Sequence, residues 1–84
     1  MKNKVLVELI VPDIGKTYNV YLPINKRIGS IIGLLNKSIF ELSNGAFTGN
    51  NNTGLYNRET GDRYTINLLL RETDIRNGSS LVML

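Results

Sequence analysis

The chain contains no cysteine and no histidine among its 84 residues. The first absence excludes disulfides, thiolate metal sites, iron–sulfur clusters and a cysteine nucleophile. The second removes the usual zinc ligand and the usual general base near neutral pH. Catalysis would then fall to Ser, Thr, Lys or a carboxylate. The seven acids, Glu8, Asp13, Glu41, Glu59, Asp62, Glu72 and Asp74, form neither a metal-ligand motif nor a paired-acid signature. We therefore expect no enzymatic activity, no catalytic residue, no metal and no cofactor. An apolar run of about 20 residues, the length of a membrane span, is also lacking. At this length one domain is expected over residues 1–84.

Charge of one sign is scarce too. Ten Lys and Arg against seven Asp and Glu leave a net +3, spread along the chain with only Lys26 and Arg27 adjacent. Nucleic-acid binders concentrate basic residues on one face or segment, so this pattern disfavours nucleic acid. The basic start, Met1-Lys2-Asn3-Lys4, precedes an apolar run that carries Glu8 and ends at Pro12. A secretory segment would be longer, uncharged and followed by small residues. The expectation is a cytoplasmic chain with no direct insertion into a membrane.

What is present is periodicity. Val5, Val7, Leu9 and Val11 alternate with Leu6, Glu8 and Ile10, the mark of a strand with an apolar odd-numbered face. Pro12-Asp13-Ile14-Gly15 is turn chemistry. Tyr18, Val20 and Leu22 then alternate with Thr17, Asn19 and Tyr21 in a second strand ending at Pro23, so the two read as an antiparallel hairpin. Ile28, Ile31, Ile32, Leu35, Ile39 and Leu42 recur at three, four and seven, predicting one stripe of a helix over about Lys26–Leu42. Asn25 is the expected N-cap, and Asn44 or Gly45 the left-handed stop. Leu55-Tyr56-Asn57 resumes extended structure, and Glu59–Asp62 turns into Arg63-Tyr64-Thr65. Leu68–Leu70 reads equally as a helical turn or an irregular cover, and Ser80–Leu84 as a final strand. Such a helix closes this order only by crossing a mixed sheet of four or five strands, with the first and last strands side by side. That is an α+β, β-grasp arrangement.

The opening hairpin, the helix start Asn25-Lys26-Arg27-Ile28 and the closing segment Asp74–Leu84 resemble ubiquitin-like proteins. More narrowly, Tyr18–Pro23, Leu55-Tyr56-Asn57-Arg58 and Ile75–Gly78 resemble the YukD-like family, bacterial ubiquitin-like proteins of type VII (WXG100) secretion systems. The resemblance implies a non-catalytic, accessory or regulatory interaction module. Its partner would be a protein of the type VII machinery, reached at the inner face of the membrane, with a homo-oligomer as a further expectation. Conjugating and sulfur-carrying relatives activate a C-terminal diglycine. Val82-Met83-Leu84 stands here instead, which disfavours a carrier role.

Two local patterns carry little. Gly29–Gly33 fits a small-xxx-small motif, but two glycines bordering a buried stripe explain it. Lys37-Ser38 lacks the preceding glycine of a phosphate loop. The feature above background is the outer sheet face. If the odd residues of the first strand point inward, Leu6 and Ile10 point outward; alternation adds Tyr21, Val82 and Leu84, and the family pattern adds Tyr56. These six are expected to form one apolar band, edged by Glu8, Asn19 and Arg58, that docks on a partner. The competing reading is a β-grasp domain binding RNA or another polyanion through Lys26, Arg27, Arg58 and Arg63.

Overall fold

A computed structural model describes residues 3–84. Four strands, β1 (Lys4–Val11), β2 (Lys16–Pro23), β3 (Leu55–Asn57) and β4 (Ser80–Met83), form one sheet in the order β2-β1-β4-β3. β1 and β4 are parallel and the other pairs antiparallel, so the sheet is mixed. One helix, α1 (Ile28–Leu42), lies against it. The expected α+β, β-grasp architecture is what the chain adopts. The fifth strand is reduced to a single bridge between Tyr56 and Arg63.

The hairpin turn works as its residues dictate. Pro12–Ile14 makes one 3-10 turn, and Gly15 takes φ 61° while its N–H donates to the Pro12 carbonyl at 3.1 Å. A left-handed residue here costs a glycine nothing sterically. At the end of α1, Asn44 and Gly45 both adopt positive φ, and the Gly45 N–H closes on the Phe40 carbonyl at 2.8 Å. Either residue satisfied the sequence argument, and the chain uses both.

The core is Val7, Leu9 and Val11 from β1, Leu22 from β2, Leu81 and Met83 from β4, and Ile28, Ile31, Ile32, Leu35 and Ile39 from α1. Val5 and Val20 pack against it half-buried. Ile75 and Leu70 are also buried, with Leu70 opening a 3-10 turn over Leu70–Glu72. Leu55 of β3 is fully buried as well, and Phe47, just past the helix, joins this core although no periodicity marked it.

Two expectations about the helix are corrected. Asn25 does not cap it: α1 starts at Ile28 with Arg27 in the cap position and no side-chain cap bond. The first-turn donors are satisfied from another segment instead. The Ile28 N–H reaches the Leu68 carbonyl at 2.8 Å and the Gly29 N–H the Ile66 carbonyl at 3.0 Å, while Asn25 Oδ1 accepts from Arg71. A free amide needs an acceptor, not a particular one. Leu42 is the second correction. It lies on the predicted stripe yet is 61% exposed, as are Leu34 and Phe40 in large part. The stripe continues one turn beyond what the core covers.

Candidate functional site

The strand register decides what the outer face looks like. Ile10 stands opposite Val82 in the β1–β4 pair, and Val82 opposite Tyr56 in the β4–β3 pair. Those three half-buried side chains form one continuous row across three strands. Leu84 follows Val82 on the same face, 50% exposed, with its backbone N–H and C=O both bonded to Gly54. Directly facing pairs on one face of a sheet sit within van der Waals reach. Ile10, Val82, Tyr56 and Leu84 are thus one apolar cluster.

Leu6 and Tyr21 are a second. They face each other in the β1–β2 pair and are 38% and 54% exposed. Leu6 is held firmly: its N–H donates to Asn77 Oδ1 and its carbonyl accepts the Gly78 N–H, both at 2.8 Å.

Between the clusters runs a polar row. Asn19 pairs with Glu8 and Glu8 with Ser80. The Ser80 hydroxyl donates to Glu8 Oε1 at 3.1 Å, and the Arg58 guanidinium lies 4.0 Å from the same oxygen. The residues expected at the edge of a single band therefore cross its middle. Which residues face outward follows from alternation within each strand. Which of them stand side by side follows from the register between strands far apart in sequence.

Arg63 belongs to this site, and the sequence reading did not place it there. Its guanidinium carbon sits 5.7 Å from the centroid of the Tyr56 ring, a cation–π geometry. It also donates to the Asn52 carbonyl at 3.2 Å, tying the 50–54 loop to the rim of the Tyr56 cluster. The polyanion set is partly spent in the same way. Arg58 faces Glu8, Arg63 covers Tyr56, and Arg27 donates to the Asn67 carbonyl. Partnered cations on separate elements are a poor footprint for a phosphate backbone.

A polar recess of about 240 Å³ is lined by Asn57, Glu59, Tyr64, Asp74 and Ser79. The Tyr64 hydroxyl donates to Asp74 Oδ1 at 2.7 Å. Burial, and then the bond to Asp74 and its charge, push the Tyr64 phenol well above the ordinary tyrosine value. A phenol held protonated in this way locks the Asp74 turn and offers no base. Among the described residues no group of acidic side chains could hold a metal ion.

This chain path occurs in solved structures. The ubiquitin-like domain of the Mycobacterium tuberculosis type VII secretion system protein EccD1 superposes with a TM-score of 0.77 at 11% identity, covering 96% of this chain and 97% of that one. The fold is ubiquitin-like. The EccD5 ubiquitin-like domain from Mycobacterium xenopi gives 0.70 at 20% identity, over 96% of this chain and 92% of that domain. A chain of the ESX-5 inner membrane complex gives 0.72 at 20% identity. Our chain covers 98% of itself in that match but spans only 21% of the larger protein. At these identities the likeness establishes the fold. No protein-family model and no curated protein matches the sequence. No helix among the described residues is long and apolar enough to cross a membrane.

Proposed function

We propose that this chain is a non-catalytic ubiquitin-like interaction module, an accessory or regulatory component of a bacterial type VII (WXG100) secretion system. It acts in the cytoplasm, docking on a protein of the membrane-embedded machinery. One observation carries the reading: the row Ile10–Val82–Tyr56, extended by Leu84, is a contiguous apolar surface on the sheet face away from the helix. Contiguous apolar surface of this kind marks protein contacts more often than isolated exposed leucines do. The YukD-like resemblance in sequence supports a partner in the type VII machinery, and the presence of type VII domains among the structures sharing this fold is consistent with it.

Val82 and Tyr56 are the energetic anchors of that contact, Val82 because it is central in the row and Tyr56 because it is the aromatic member beside it. Leu6 and Tyr21 make a separate, secondary contact across the polar row. The test is an affinity pulldown from the native cell with the wild-type chain, Val82→Asp and Tyr56→Asp. Loss of a type VII component with both variants supports the proposal. Full recovery with both, combined with loss on charge reversal of Lys26 or Arg58, would transfer the function to polyanion binding.

A further inference from the structure

The polar row of the outer face opens, on its Leu6–Tyr21 side, into a recess of about 510 Å³. Ser80 and the Asn77-Gly78 turn line it together with Leu6 and Tyr21, and Glu8 is the one charged residue in its lining. Gly78 keeps the turn from filling it. The Gly78 N–H is bonded to the Leu6 carbonyl, and a Cβ placed on it would meet nothing within 4 Å. Its φ of 86° is one that side chains rarely adopt, so the turn presents bare backbone there.

The two carboxylate oxygens of Glu8 are unequally occupied. Oε1 accepts from the Ser80 hydroxyl at 3.1 Å and lies 4.0 Å from the Arg58 guanidinium, beyond hydrogen-bond length. Oε2 has no hydrogen-bond partner among the described residues. With the side chain 44% exposed, solvent satisfies it in the free chain. Docking changes that. Glu8 lies between Leu6 and Ile10 on β1, so a protein that covers both apolar clusters covers Glu8 too. A carboxylate taken out of water with no cation and no donor opposite it is costly.

We propose that the partner inserts an arginine into this recess, with its guanidinium on the Glu8 carboxylate, and that Glu8 thereby selects the partner. The inference rests on the outer-face docking reading and gives that partner its chemistry. Arginine fits better than lysine. Its planar fork of donors matches a carboxylate with an open oxygen, and its face stacks on an aromatic ring such as that of Tyr21, 54% exposed. Apolar residues flank the arginine on the partner. Strand residues two apart stand about 6.7 Å from each other, the spacing of Leu6, Glu8 and Ile10 along β1. No arginine of this chain has apolar residues two positions away on both sides, so a second copy does not supply the segment.

The probe is a blocked Leu-Thr-Arg-Thr-Leu peptide, with citrulline and lysine counterparts, titrated into the isotope-labelled chain and followed by amide shifts. The arginine peptide should move Leu6, Glu8, Gly78 and Ser80 and bind about tenfold tighter than the uncharged citrulline one, with lysine between. Glu8→Gln, which keeps an acceptor for the Ser80 hydroxyl, should abolish that preference and leave the melting temperature unchanged. The proposal is overturned if the arginine and citrulline peptides bind alike, or if neither moves those amides at about 10 mM. In the pulldown, Glu8→Gln should lower about tenfold the recovery of the protein that Val82→Asp loses. Full recovery with Glu8→Gln beside loss with Val82→Asp overturns this inference and leaves the docking surface standing; full recovery with both removes both. Arg58→Gln should leave recovery unchanged. A loss equal to that of Glu8→Gln would make Arg58 itself the cation that neutralises Glu8 and overturn the proposal. Self-association of the wild type that Glu8→Gln abolishes would place the Arg58 of a second copy there, and overturns it as well.

Discussion

The Ser80 hydroxyl donates to Glu8 Oε1 at 3.1 Å across the parallel β1–β4 pair, and this single bond marks where the outer face is divided. Removing the divide should be visible. In Glu8→Leu, three apolar side chains of β1 would line up on one face and join the two clusters. The ion pair lost with Glu8 is solvent-exposed and is worth at most about 1 kcal/mol. We expect a nearly unchanged denaturation midpoint together with self-association by sedimentation. A monomer at high concentration would show that the row does not limit the patch.

Tyr56→Asp and Val82→Asp should abolish recovery of the partner while costing the fold only about 1 kcal/mol, the scale of strand preference at half-buried positions. Lys26→Glu and Arg27→Glu should change recovery little. Parallel thermal melts and pulldowns check this; a collapse in melting temperature for either aspartate variant would place that side chain in the core.

Leu35 and Leu42 lie on one helical stripe, yet one is 5% exposed and the other 61%. Leu35→Ala should cost roughly 2–5 kcal/mol. Leu42→Ala should stay within about 0.5 kcal/mol of the wild type. Chemical denaturation of the two variants checks the contrast, and equal losses would mean that the helix end is covered in solution.

The Tyr64 phenol is raised by burial first, then by Asp74. A group raised on folding stabilises the protein fully below its unfolded value of about 10 and loses that contribution as pH climbs past it toward the folded value. Stability should therefore fall more steeply above about pH 10 in the wild type than in Tyr64→Phe. Absorbance titration should show one of the four tyrosines ionising late. Identical alkaline slopes in the two proteins would remove Tyr64 from the linkage.

Much of this architecture is legible in the chain because periodicity is local. Alternation over Val5–Val11 and Tyr18–Leu22 identifies inward and outward residues, since successive side chains of a strand must point to opposite faces. The 3.6-residue repeat from Ile28 to Ile39 does the same for the helix, and all five of its apolar stripe residues up to Ile39 are buried. Ile75 was recognisable only through the family pattern. Phe47 and Leu70 lie in or beside irregular segments, where no repeat announces burial. Asn25 had the chemistry of a cap, but the carbonyls of Ile66 and Leu68 reached the same amides first.

Alternation in the sequence by itself determined which residues the longer strands turn outward, so Leu6, Ile10, Tyr21, Val82 and Leu84 could be named without a structure, and Tyr56 through the family pattern. Only the tertiary structure decided how they group. Glu8 meets Ser80 across 72 positions of chain. That offset is set by the packing of α1 and the irregular 58–79 segment, not by any repeat within β1 or β4. Alternation has a period of two and holds for every even-numbered shift of one strand past another. Choosing among those shifts takes the whole core, and that choice placed a polar row through the apolar face.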